Sequence, residues 1–245
     1  MIRGLYTSAT GMLAAQTQSE IIGDNVANVK TPGYKEQIAS NLAFPLRSLE
    51  RDGGNQASVQ IGGLGTGVSV DRTVLSNVLG AVQPTNVKTD LALTTPGYFA
   101  IQTAGGVRYT RNGHFQLDAN GNLLTQDGNP VLGERGPIGP LSSDFSVQAD
   151  GTVLDKGQNI DRIQVVDIPT TALQREGQSL YSATQPVQAS TTVQILQGSI
   201  EASNVDVSGQ MVQIMTVMKA YEANQKVIQT EDSMLDKAVN EVGKI

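Results

Sequence analysis

An α+β fold, with helices at both chain ends and a mainly antiparallel β body between them, is what this sequence predicts. Three observations carry the prediction: where the prolines fall, the helical period of the apolar residues at each end, and the alternation punctuated by turn pairs in the middle. All nine prolines lie between Pro32 and Pro186. The first 31 and last 59 residues are therefore free of the residue that breaks helix interiors.

At the N-terminal end Ile2, Leu5, Ala9, Met12, Ile22, Val26 and Val29 recur at helical spacings, and Thr31-Pro32-Gly33 supplies the stop. The C-terminal pattern is stronger. Ile214, Tyr221, Ile228, Leu235 and Val242 recur every seven residues. Met211, Met218 and Val239 are read as the companion position, interrupted by Gln225 and Asp232. A helix from Val207 to Gly243 would run about 55 Å, and a stripe sustained over five heptads needs a partner helix to cover it. Met211, Met215 and Met218 read as part of that packing stripe rather than as a ligand groove.

Between the ends, Val68–Val70, Phe99–Ile101, Val107–Tyr109, Phe115–Leu117 and Ile163–Val165 read as strands. The pairs Gly105-Gly106, Asn120-Gly121, Asp127-Gly128 and Asp150-Gly151 supply hairpin turns. Two hairpins match at an offset of thirty residues, Phe115 to Leu124 against Phe145 to Leu154. Residues 42–67 show no firm period, and Gly62–Gly67 reads as a flexible connection. The expected organisation is a discontinuous helical part, 1–35 and 200–245, a linker and extended segment over 36–80, and a β-rich outer domain over 81–199.

Composition excludes several functions. There is no cysteine and only one histidine, so thiolate chemistry and multi-histidine metal sites are out. A net charge of −6 argues against a duplex nucleic-acid binder. No run approaches the length of a membrane span, and the start, Met1 to Tyr6, lacks the apolar stretch of a secretory signal. Charged residues are only 16% while glutamine fills 22 positions, a polar, uncharged balance suited either to protein–protein contact or to a lineage preference for glutamine.

Candidate chemistry is thin. Gly62–Gly67 matches neither a dinucleotide nor a Walker loop. Asp118-Ala-Asn120-Gly-Asn122 begins like a calcium loop, but Leu123 and Asn129 stand where that loop needs glycine and glutamate. His114 has no nucleophile elbow to serve. Asp144, Asp150 and Asp155 sit where turn-capping acids sit. The expectation is no enzyme, no cofactor and no metal.

Three stretches in order resemble the flagellar basal-body rod family. The first runs Gly23-Asp24-Asn25-Val26-Ala27-Asn28-Val29-Lys30-Thr31-Pro32-Gly33-Tyr34-Lys35. The second includes Gly97-Tyr98-Phe99 and Tyr109-Thr110-Arg111-Asn112-Gly113-His114-Phe115. The third comprises Gly198 to Glu201, Ser203-Asn204-Val205 and Ala220-Tyr221-Glu222. Asp24 and Val26 depart mildly from the family's usual asparagine and leucine.

The resemblance implies that the terminal helices pair as an inner α-helical coiled coil around which the β domain lies outermost. It implies a subunit that stacks helically with itself, and with adjacent rod and hook subunits, into a hollow shaft carrying torque to the hook. It also implies export by the flagellar type III apparatus without a cleaved signal, and residence in the basal body with no nucleic-acid partner and no membrane insertion. Asn129 to Ile138 resembles the proximal-side (FlgF-type) rod subunit, slightly favoured, and Leu64 to Val68 the distal (FlgG-type) one. A secreted adhesin with a coiled-coil stalk is the alternative outside the family. The assembly interface is expected at Leu5, Met12, Ile22, Val26, Met211, Ile214, Met218, Tyr221, Ile228, Leu235 and Val242. Covering such stripes only on assembly predicts terminal segments, 1–35 and 200–245, that are loosely ordered in the free subunit.

Overall fold

The first helix, α1, spans Ile2–Ala27 and the last, α2, spans Val207–Val242, with short strands between them. The computed structural model describes residues 2–51, 59–177, 179–190 and 192–242. The chain forms two compact units. One holds residues 1–24, 37–74 and 207–245, and the other holds 25–36 and 75–206.

In the first unit the helices meet through small residues. A Cβ on Gly4 would lie 2.4 Å from Glu231 Oε1, and one on Gly11 would lie 2.8 Å from Asn224 Nδ2. Seven residues up α1 correspond to seven down α2, so the two run antiparallel where they approach. On α1 the buried positions Ser8, Ala15 and Ile22 also fall seven apart, with Ala14 and Ile21 beside them. Small side chains let the backbones come close, but they give a weak apolar signal in sequence.

Along α2 the partly covered line is Val207, Gln210, Ile214, Val217, Asn224, Ile228, Glu231, Leu235 and Ala238, with Tyr221 at its more open point. The steps alternate three and four, which is the heptad expected. The companion position, however, is the one holding Gln210, Val217, Asn224, Glu231 and Ala238. The expected companions Met211, Met218 and Val239 are 54%, 55% and 71% exposed. Each lies one residue, about 100°, further round the helix. The covered companions include an amide pair and a carboxylate, so the apolar pattern alone pointed one position away.

Residues 36–80, expected as a linker and extended segment, hold two strand pairs. Gln37–Ala43 pairs with Val68–Leu75, and Arg47–Arg51 pairs antiparallel with Val59–Leu64. Gly62–Leu64 is thus strand, not flexible connection. Leu42 and Leu46 are exposed. A strand with no buried face has no need of alternation, which is why no period marks it. Val68 N–H donates to Thr10 Oγ1 (3.4 Å), tying this ladder to α1, and Phe44 N–H donates to Gly67 O (3.0 Å) at the ladder's own end.

The second unit is built on a six-stranded antiparallel sheet. Its order is Leu173–Arg175, Leu180–Ala183, Gly106–Thr110, Tyr98–Thr103, Val165–Asp167 and Gln188–Ala189. The strand Tyr98–Thr103 shows the two-residue period. Phe99 and Ile101 join a core with Leu91, Phe115, Leu123, Val131, Phe145 and Val153, while Tyr98 and Ala100 join a second with Tyr109, Val166, Ile168 and Tyr181. Phe99 and Phe115 meet edge to face, 5.3 Å between centroids. The two matched hairpins are real: Leu117 pairs with Leu123, and Val147 with Val153, at the same thirty-residue offset.

Candidate assembly site: a buried junction and an exposed helix face

The family motifs that lie far apart in sequence converge on one buried cluster in the second unit. α1 ends at Ala27, and Thr31 N–H donates to Asn28 O while Thr31 Oγ1 donates to Asn28 Oδ1. Pro32 then leads into Gly33, whose φ is +68°. A Cβ there would lie 2.3 Å from the carbonyl carbon and oxygen of Arg111, so only glycine lets the two backbones touch. Gly33 N–H donates to the Glu201 carbonyl at 2.8 Å.

Beyond the turn, Tyr34 and Lys35 go inward. The Tyr34 hydroxyl donates to Asn25 Oδ1 (3.1 Å) and accepts from the Arg175 guanidinium (3.3 Å), which also stands 4.9 Å over its ring. Lys35 Nζ donates to Glu201 Oε1 and to Val78 O, each at 2.8 Å. Arg111 Nε donates to the other carboxylate oxygen, Glu201 Oε2, at 2.5 Å. Its remaining donors reach the carbonyls of Gly97, Leu93 and Thr95. Gly80 N–H completes the carboxylate shell at 2.8 Å. All three charged side chains are at most 3% exposed.

Asn204 forms the second clasp. Its Oδ1 accepts from Glu36 N–H (2.7 Å), and its Nδ2 donates to Val78 O (2.9 Å). Val205 is buried beside it, its N–H donating to Ser203 Oγ. Gly198 O accepts from the backbone of Thr85 and Asn86, and Gly198 N–H donates to Asp90 O. Residues 25–36 and 198–205 therefore belong to the β body, and the boundary expected near residue 35 falls at residue 24.

Burial sets the electrostatics here. It is the main cause that pulls the Lys35 ammonium below its usual range, opposed by the Glu201 carboxylate. Burial also pushes the Tyr98 phenol up to about 12. Two cations share one carboxylate, with all three side chains nearly fully buried. The geometry holds charge in place.

The other motif residues serve the sheet. Tyr109 pairs with Tyr181, and Thr110 Oγ1 donates to Ser179 O (2.7 Å). Gly113 O accepts from Leu91 N–H, and Phe115 fills the core. Ala27 is exposed at the end of α1. Tyr221 and Glu222 stand on α2, exposed and far along the chain from the junction.

His114 is held by Asp90: Nδ1 to Oδ1 is 2.6 Å, and Thr85 Oγ1 donates to the other oxygen at 2.6 Å. The histidine lines a cleft of about 540 Å³. The hydroxyls beside it are committed elsewhere, Thr110 to Ser179 and Thr31 to Asn28. Asp144 pairs with Lys88, Asp150 caps the Thr152 turn and Asp155 accepts from Ser142. Asp118 accepts from the backbone N–H of Asn120 and Asn122, which holds its carboxyl below the usual range, as a turn carboxylate rather than a calcium ligand. Among the described residues no group of three or more histidine and acidic side chains could hold a metal, and no helix is long and apolar enough to cross a membrane.

The expected interface residues divide. Ile22 is buried, and Leu5, Met12 and Val26 on α1 and Ile214, Ile228 and Leu235 on α2 are half-buried. Met211, Met218 and Tyr221 are exposed, alongside Val212 and Met215. The side chain of Val242 lies outside the described residues. Reasoning from sequence did not single out Lys35 and Glu201, although both stand inside the quoted motifs. The available signal was that a lysine and a glutamate stand inside stretches that carry the family resemblance.

In chain order this protein has two terminal helices flanking a β body whose sequence motifs gather on one buried ion cluster. Three family descriptions match it: "Flagella basal body rod protein" over residues 5–35, "Flagellar hook protein FlgE/F/G D1 domain" over 92–155, and "Flagellar basal body rod FlgEFG protein C-terminal" over 196–241. It is 34% identical to the flagellar hook-basal body complex protein FlhO of Bacillus subtilis over the whole of both chains. It is 33% identical to the B. subtilis rod protein FlgG, covering 98% of this chain and 99% of that one. It is 32% identical to the rod protein FlgF of Caulobacter vibrioides over both whole chains. The chain belongs to the flagellar basal-body rod protein family, a family of structural proteins rather than enzymes.

Proposed function

We propose that this protein polymerises helically with copies of itself, between adjacent rod and hook subunits, as a segment of the hollow shaft that carries torque from motor to hook. The observation that carries the reading is the outer side of α2. Met211, Val212, Met215 and Met218 are all exposed on it, although α2 already has one covered stripe. Apolar surface of this kind on a helix marks a contact face. A repeated contact that does not close on itself builds a filament.

Pairing of α1 and α2 as a continuous coiled coil is part of this reading, supported by the antiparallel approach at Gly4 and Gly11. Location in the basal body and export through the flagellar type III apparatus belong to it too, and a chain without cysteine suits an unfolded route. The proximal-side position is favoured by the Asn129–Ile138 segment. A distal position is the second reading, favoured by Leu64–Val68 and by the FlgG relatives.

Replacing Ile228 with Asp tests the assembly reading. The variant is expected to lose polymer formation, read by sedimentation, while the β body keeps its thermal transition. An Ile228→Asp chain that polymerises like the wild type would show that the half-covered line of α2 is not needed for assembly.

A further inference from the structure

With no cysteine, the sulfur of this chain is confined to six methionines, and three of them lie within eight residues. Met211, Met215 and Met218 stand at i, i+4 and i+7 of α2, which places them on one face. Each is more than half exposed. Thioethers so placed are open to two-electron oxidants, with no thiol in the chain to react first. Met12, by contrast, is half-buried on α1.

We propose that this triad is a modification site. Peroxide-class oxidants convert it to methionine sulfoxide in the free subunit, and the change blocks assembly. The proposal rests on the reading of the outer α2 face as the subunit contact. In the step, a thioether lone pair attacks one oxygen of hydrogen peroxide. The O–O bond breaks as the S–O bond forms, and the proton on the transferred oxygen passes to the departing hydroxide. Sulfur is oxidised by two electrons, and the peroxide is reduced to water. A flexible apolar side chain becomes a polar one. Three such oxygens on a face meant to be covered must either find donors or be buried without them.

The test exposes the full chain to hydrogen peroxide, maps sulfoxides by peptide mass spectrometry and measures the critical concentration for assembly. Met211, Met215 and Met218 are expected to oxidise before Met12, and the critical concentration to rise by at least about tenfold. Methionine sulfoxide reductase should restore it. A variant carrying Met211→Leu, Met215→Leu and Met218→Leu, a volume-conserving exchange, should assemble equally well before and after peroxide. Unchanged assembly of the triply oxidised chain would overturn the proposal, as would equal loss in the leucine variant. Should leucine itself perturb packing, failure of the reductase to restore the wild-type chain is the overturning result. An untreated Met215→Asp chain separates the two ideas. If it fails to assemble, the contact face stands whatever peroxide does; if it assembles, the contact reading falls.

Discussion

Glu201 holds the second unit together at the place where the chain's two ends enter it. Its carboxylate is shared by Lys35 and Arg111 and by the Gly80 amide, with almost no exposure to water. Removing it in Glu201→Ala would leave two buried cations without a counterion. The expected loss is about 3–5 kcal/mol of stability, read by urea unfolding of the β body. The exposed pair Lys88–Asp144 is the internal comparison, since its removal should cost no more than about 1 kcal/mol. Equal effects at the two sites would contradict the role given to Glu201. Tyr98 adds a pH dependence. Its phenol titrates near 10.0 when unfolded but at about 12 when folded. The neutral folded phenol therefore contributes stability that is full below pH 10 and is lost as pH rises toward 12. That contribution is on the order of 2 kcal/mol. Tyr98→Phe should lose less stability across that window than the wild type, and parallel alkaline unfolding curves would argue against it. None of this coupling was visible in sequence, because Lys35 and Glu201 are 166 positions apart and nothing local to either predicts the other.

At the scale of elements, both helices were legible and their covered faces only in part. The seven-residue recurrence of Ile214, Tyr221, Ile228 and Leu235 located one line of α2 correctly. Its partner line was missed because Gln210, Asn224 and Glu231 carry polar side chains. On α1, Leu5 and Met12 drew the eye by hydrophobicity, whereas Gly4 and Gly11 make the close approach. Hydrophobic pattern finds faces that bury large side chains and passes over those that bury backbone. The same blindness hid the strands at 37–51 and 59–75, which have little buried face to advertise. The Ile228→Asp prediction belongs here. Ile228 sits on the half-covered line of α2 in the first unit, whereas the junction belongs to the second. A charge there should therefore act on helix contact without unfolding the second unit.

For the whole molecule, the motifs were informative because they mark where distant segments meet. Asn25 to Lys35, Tyr109 to Phe115 and Gly198 to Val205 are one cluster in space. Their order along the chain pointed to the family, while their mutual contacts moved the boundary between the units to residue 24. The clasp joins residues 25–36 to residues 198–205 within the second unit. Residues 25–35 and 200–206, part of the terminal segments expected from sequence to be loosely ordered in the free subunit, belong to the second unit. The central claim is that this chain is a structural subunit of the rod. Electron microscopy of basal bodies from cells lacking its gene tests that claim most directly. The account predicts a rod that stops short, with the stopping point marking the subunit's proximal or distal position. Rods and hooks of normal length, in cells with no related chain to substitute, would contradict it.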